Sequence, residues 1–284
     1  MTDVQQESST APRRQGRAQH VLTVESTKWL GPHLIRVVAT GESLADFAHD
    51  GSTDAYVKLQ FVDPALGLTP PYDIATLRQT LPQEQLPVSR TYTVRWFDRE
   101  ARRLALDFVV HGDTGIAAPW AMKAKPGDQL VLSGPGGGYC PDPETTWHVF
   151  AGDLSALPAI SAAIESLSSE AKGVVYLEIE DEKDIIEFTN PSQVDVQWLI
   201  NGDVSDVEFL ARVIDDAEWP TGTVKGAGVQ VFAHGERESI KAIRRSLARR
   251  EIPRDAISIS GYWARGRTED VFQAEKREPI GKID

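Results

Sequence analysis

The chain has 284 residues, 41% hydrophobic and 25% charged, which is enough apolar mass for a packed core and enough length for about two domains. Its formal net charge of −12 argues against nucleic acid and anionic membrane surfaces as partners. No stretch approaches the roughly 20 apolar residues that span a bilayer, so no integral membrane association is expected. Residues 1–18 are polar, lack the apolar core of a secretory signal, and are expected to be a disordered tail. The single cysteine, Cys140, excludes an intrachain disulfide or an all-cysteine iron–sulfur site and fits a reducing cytoplasm.

From residue 19 the pattern is that of strands. Residues 19–25, 34–39, 55–61, 90–97, 104–111 and 129–133 are short runs rich in β-branched or aromatic side chains. Turn signals such as Gly31-Pro32, Asp63-Pro64 and Pro126-Gly127-Asp128 punctuate them. Six strands at this spacing predict an antiparallel barrel or sandwich. Residues 63–87 hold five prolines and little periodicity and read as a long surface loop. Glycines and prolines at residues 134–143 form a joint. Beyond it, strands at residues 147–151, 173–180, 194–200, 228–233 and 256–260 alternate with helices at 156–167, 204–214 and 236–250. That alternation implies crossover connections and a parallel sheet.

The strand opening at Arg90-Thr91-Tyr92-Thr93 carries an aromatic ring, two hydroxyls and a guanidinium fork. Such a row can stack on a flat heteroaromatic ring, hydrogen-bond its edge and hold a phosphate, although alone it is also an ordinary aromatic strand. Alternation places Arg90 and Tyr92 on one face and Thr93 on the other, so Thr93 would act from the strand's edge or through its backbone. Next, His111-Gly112-Asp113-Thr114-Gly115-Ile116-Ala117-Ala118 runs from an apolar strand into a short helix at 117–123. A Gly-rich turn before a helix presents free backbone N–H groups that suit a pyrophosphate.

In order, these segments resemble the ferredoxin–NADP reductase superfamily and, within it, the siderophore-interacting protein family. The resemblance runs from about Val21 to Arg267. It also rests on Asp107-Phe108-Val109-Val110-His111-Gly112, Gly134-Pro135-Gly136-Gly137, the run Ala151-Gly152-Asp153-Leu154-Ser155-Ala156-Leu157-Pro158, and Gly261-Tyr262-Trp263-Ala264-Arg265-Gly266. It implies a ferredoxin reductase-like fold: an N-terminal antiparallel FAD-binding barrel over residues 19–143 and a C-terminal parallel-sheet domain of nucleotide fold, binding NADH or NADPH, over residues 144–284.

The resemblance further implies contacts to FAD or nucleotide from Arg90, Thr91, Tyr92, Thr93, Asp107, Val109, His111, Gly115, Ile116, Ala117, Ala118, Asp153, Ser155 and Trp263. Tyr92 and Thr93 stand nearest the chemistry in that scheme, and Lys58, Arg265 and Arg267 would receive a ferric siderophore. Gly-Ile-Ala-Ala here replaces a frequent Gly-Pro-Ala-Ser, and Gly136 stands where many members carry an arginine. Without the resemblance, Ser155 reads as a helix N-cap, and the basic run of Lys241, Arg244, Arg245, Arg249 and Arg250 reads as a solvated helix face.

The activity implied is FAD-dependent reduction of a ferric siderophore by a nicotinamide nucleotide, in a monomeric cytoplasmic enzyme with no protein-bound metal. Other readings are a flavin or ferredoxin-dependent reductase of the same fold, and a carrier without turnover.

Overall fold

The computed structural model describes residues 18–112, 115–219 and 228–283. The expected tail lies outside the described residues, except for Ala18. The first half consists of β1 (Gln19–Gly31), β2 (Leu34–Thr40), β3 (Tyr56–Phe61), helix α1 (Ile74–Thr80), β4 (Val88–Asp98), β5 (Arg103–Val109), helix α2 (Ala117–Lys123) and β6 (Gln129–Gly136). The six strands close into an antiparallel barrel in the order β1-β2-β5-β4-β3-β6, with β6 pairing back onto β1. Of the two architectures that the strand pattern allows, the chain adopts the closed one, which leaves no free sheet edge.

Alternation fills the barrel. In β3, Val57, Leu59 and Phe61 are buried while Tyr56, Lys58 and Gln60 are only partly so. Val37, Leu106, Phe108 and Leu132 meet them in one cluster. Each large side chain buried in this way contributes roughly 1.5–3 kcal/mol. The segment 63–87 is not the featureless loop expected. Asp73 caps α1, its Oδ1 accepting from the N–H of Ala75 and of Thr76 at 3.1 Å each, which starts a short helix beyond Pro70 and Pro71.

The second half comprises β7 (Trp147–Gly152), α3 (Leu157–Glu165), β8 (Lys172–Ile179), β9 (Gln193–Ile200), α4 (Phe209–Asp216), β10 (Val229–Glu236), α5 (Arg237–Arg249), β11 (Ile257–Trp263) and α6 (Glu269–Glu275). All sheet pairings are parallel, in the order β9-β8-β7-β10-β11. The order of appearance reverses between β7 and β10, and a doubly wound sheet opens its ligand crevice there, outside the carboxyl ends of the strands. α3 covers one face of the sheet together with Leu34 and Val109 of the barrel. α4 and α5 cover the other.

Helix α4 begins five residues later than its apolar pattern predicts. Asp203 accepts from Ser205 N–H at 3.0 Å and Asp206 from Glu208 N–H at 3.2 Å, and these local turns compete with the helix. The basic run on α5 is structural. Arg245 pairs with Glu208, Arg249 with Asp215, and Arg250 donates to the carbonyl of Ala217 at 2.7 Å with its guanidinium 4.2 Å over Trp219. Helix α6, capped by Thr268 with Glu269 and Asp270 in its first turn, was not expected.

Ion pairs help to dock the halves. Arg95 of β4, buried, makes a bidentate pair with Glu165 of α3 at 2.7 and 2.6 Å. His33 Nδ1 lies 2.8 Å from the buried Asp184, which also accepts from His33 N–H at 3.2 Å. Among the described residues no helix is long and apolar enough to cross a membrane.

Candidate functional site

A cleft of about 570 Å3 separates barrel from sheet, with its floor at the carboxyl ends of the parallel strands. The barrel wall presents Lys58, Thr91, Tyr92, Thr93, Val109 and His111. Register explains the row: Lys58 of β3 pairs with Thr91 of β4, and Val57 with Tyr92. The Lys58 ammonium donates to Thr91 Oγ1. The Tyr92 ring lies 4.3 Å from that of Phe108, and burial holds its hydroxyl well above the usual phenol pKa, with Glu269 adding to the effect. Thr93 and Tyr262 line the cleft from the two walls. His111 lies 6.1 Å, ring to ring, from Trp263.

Asp107 borders the cleft, but its oxygens are engaged elsewhere. Arg36 on β2 takes both, at 2.6 and 2.8 Å, so the carboxylate serves the barrel. Arg90 does not line the cleft. Its fork is held by Asp270 of α6 at 3.1 and 3.2 Å. Gly115, Ile116, Ala117 and Ala118 do not line it either. Ala117 and Ala118 pack on the barrel core, Ile116 is exposed, and the neighbouring Asp113 and Thr114 lie outside the described residues. Arg267 is bound at 2.7 Å to Glu275, which Arg237 also grips, so Arg267 tethers α6 and does not face the cleft.

The sheet wall centres on Asp153, one residue past β7. Its Oδ1 accepts from Ser155 N–H at 2.8 Å and from the Ser155 hydroxyl. Its Oδ2 accepts from Glu236 N–H and from Trp263 Nε1, both at 2.8 Å. One carboxylate therefore ties the ends of β7, β10 and β11. Two glycines permit the approach: a Cβ on Gly152 would lie 2.4 Å from the His234 carbonyl, and one on Gly235 would lie 2.7 Å from Asp153 Oδ2. Ser155 is not the helix cap, since Ala156 holds that position. Glu236 instead caps α5, accepting from Glu238 N–H at 2.6 Å and Ser239 N–H at 3.0 Å, while its other oxygen accepts from Arg265 N–H at 3.0 Å. The Arg265 guanidinium lies 5.4 Å over the Trp263 ring, at the cleft.

Several lining residues escaped the sequence reading: Glu178 and Glu180 at the end of β8, His234 on β10, and Glu269, Gln273 and Lys276 from the α6 segment. Burial lowers His234 to about 3, with Lys276 adding to the effect, so its imidazole is neutral at any ordinary pH. Position at a strand's carboxyl end could have flagged Glu178 and His234. Thr268 followed by Glu269 and Asp270 is the local helix-start signal that could have flagged α6. Gly136 also gains an explanation: a Cβ there would lie 2.5 Å from Tyr56 Cζ, so the tyrosine ring fills the space beside it.

The barrel wall fits a flavin. Tyr92 and Val109, with Trp263 of the sheet wall, give an apolar lining, while the hydroxyls of Thr91 and Thr93 and the ammonium of Lys58 can meet ring edges and phosphate oxygens. Among the described residues no group of three or more His, Cys, Asp or Glu could hold a metal ion.

Residues 23–139 match the siderophore-interacting FAD-binding domain, and residues 145–266 match the siderophore-interacting protein domain. The chain is 38% identical to ferric vibriobactin reductase ViuB of Vibrio cholerae over 88% of this chain and 90% of that one. It is 28% identical to the NADPH-dependent ferric-chelate reductase of Escherichia coli over 85% and 91%. The crystal structure of the siderophore-interacting protein SipS from Aeromonas hydrophila superposes with a TM-score of 0.75 at 28% identity, covering 94% and 99% of the two chains. With both halves matched in order, the chain belongs to the siderophore-interacting protein family.

Proposed function

We propose that the protein is an FAD-dependent reductase of ferric siderophores that draws its electrons from a nicotinamide nucleotide. The observation that carries this reading is a single cleft into which open both the hydroxyl- and aromatic-lined row of β4 and the switch point of the parallel sheet. The names of two relatives, a ferric vibriobactin reductase and a ferric-chelate reductase, support the substrate class. When bound, FAD would accept a hydride from the nucleotide and release electrons one at a time to the ferric centre.

The chain's own residues supply position and charge. Tyr92 and Trp263 would flank the flavin ring system, with Thr93 at its edge. Arg90 would hold its phosphates only after exchanging Asp270 for them. Lys58 and Arg265 line the cleft as cations against an anionic chelate, and Tyr56 takes the place that an arginine at Gly136 would need. No covalent nucleophile or acid–base pair is required. Iron would enter and leave with its chelator, because ferrous iron is the softer ion and binds hard oxygen ligands less tightly. The exposed free Cys140 suits a reducing cytoplasm.

An anaerobic absorbance titration tests the reading. Flavin bands near roughly 450 nm should bleach with NADH or NADPH and recover on adding a ferric chelate, with ferrous iron trapped. Arg90→Ala should lower FAD retention by roughly tenfold. A chain that neither carries nor binds FAD would overturn the proposal.

A further inference from the structure

We infer that the nucleotide half of the cleft is built for NADH and discriminates against NADPH. The inference rests on the nicotinamide-donor reading above and adds to it the identity of the donor. It starts from topology. In a sheet ordered third-second-first-fourth-fifth, the pyrophosphate sits past the first strand. The adenosine ribose lies towards the carboxyl ends of the neighbouring strands on that side, here β8 and β9. A carboxylate at this edge accepts hydrogen bonds from the ribose hydroxyls of NADH, whereas an arginine is needed for the 2′-phosphate of NADPH.

The edge here is acidic. Glu178, next to last in β8, lines the cleft, and Glu180 follows it. Asp203 stands three residues past the end of β9, and Asp206 is near enough to act electrostatically on both Glu178 and Asp203. Glu178 Oε1 accepts from the buried Asn201 at 2.7 Å, which fixes the carboxylate and ties the two strand ends together. Its second oxygen accepts no hydrogen bond among the described residues, so a ribose hydroxyl can donate to it. Of the nearby cations, Arg212 is paired with Asp206, and Lys183 is exposed beside Asp181 and Glu182. Arg265, on the same sheet wall, acts electrostatically on Glu178 and Asp203 while lying over Trp263. A 2′-phosphate, carrying about −1.5 to −2 charges, would enter an edge where carboxylates outnumber free cations.

A separate observation marks the same crevice as a ligand site. His234, lining it at the end of β10, is 4% exposed, with one ring nitrogen 3.0 Å from Ser258 Oγ and the other without a partner among the described residues. A buried polar atom without a partner inside a native fold calls for an explanation, and a polar ligand in the crevice supplies one.

The test measures binding and reduction separately on the FAD-loaded protein. Calorimetric titration should show NAD+ binding roughly tenfold or more tightly than NADP+, a gap that narrows as salt screens the edge. Stopped-flow bleaching at subsaturating nucleotide should favour NADH by a similar factor. In the Glu178→Gln/Asp203→Asn double variant the gap should shrink to about a few-fold, chiefly because NADP+ improves. The single exposed-site variant Asp203→Asn guards against misfolding and should move in the same direction. Equal or tighter binding of NADP+ would overturn the inference while leaving the donor reading intact. Tighter NAD+ binding without bleaching would keep the inference and sink the donor reading. Loss of both sinks both.

Discussion

The two walls of the cleft solve different electrostatic problems. The barrel wall exposes a lysine, two threonine hydroxyls and aromatic rings, and its carboxylate Asp107 is neutralised by Arg36. The sheet wall is carboxylate-rich. Asp153 and Glu236 there are consumed by backbone and indole N–H groups, while Glu178 keeps an oxygen free. A net charge of −12 therefore does not prevent a lysine and hydroxyl donors from gathering on one wall of a cleft whose other wall is rich in carboxylates. Local arrangement decides this, and overall charge does not.

The largest effect that would break this contrast is at Asp153. Asp153→Ala should leave four donors unpaired and cost about 3–4 kcal/mol, lowering Tm by roughly 10 °C; a shift under about 2 °C would show that the sheet wall does not depend on this knot. Next comes the docking pair that fixes the spacing of the walls. Arg95→Ala should cost about 2 kcal/mol, and a double-mutant cycle with Glu165→Ala should return a coupling of about 1–2 kcal/mol, whereas additive effects would mean that the walls are held by packing alone. On the barrel side, Lys58→Gln should raise KM for an anionic ferric chelate about five-fold at low salt, with the loss shrinking as ionic strength rises.

The smallest effect concerns Glu178, whose carboxyl is held above its ordinary pKa by burial, against a hydrogen bond from Asn201 and with Asp153 adding to the rise. A raised folded-state pKa means that its contribution to stability is present in acid and lost as pH rises through that value. Glu178→Gln should thus be stabilising by about a degree or two at pH 7 to 8 and neutral below pH 4, as read by thermal unfolding across pH. A constant difference at all pH values would refute the sign of this argument. A residue kept at a cost in stability is the expected mark of a ligand contact.

The barrel row was legible because its chemistry is local. Lys58 and Thr91 to Thr93 lie on two paired strands, but Thr91, Tyr92 and Thr93 all line the cleft while Arg90 does not, so the faces expected from period-two alternation do not hold along this row. The sheet was legible from the alternation of strand and helix patterns, and Asp153 from its place one residue past the first strand. What the sequence hid is non-local. Arg90 reads as a free fork until Asp270, 180 residues away, is found holding it. Arg267 reads as a substrate cation until Glu275 claims it. Asp107 reads as a cofactor ligand until the register brings Arg36 opposite. In each case a polar group satisfies itself with the nearest partner in space, and periodicity says nothing of that partner.

The Arg90–Asp270 contact also bears on when the site comes into being. During synthesis β4 forms and the barrel can close long before α6 exists, because the intervening sheet must be made and folded first. A contact closed over so long a loop is among the slowest to form. Until then Arg90 has only the Ser89 carbonyl as a partner and no carboxylate competes with a phosphate-bearing ligand for its fork. Cofactor added during translation would thus meet a different guanidinium from cofactor added to the finished chain, and loading by the two routes should proceed at different rates.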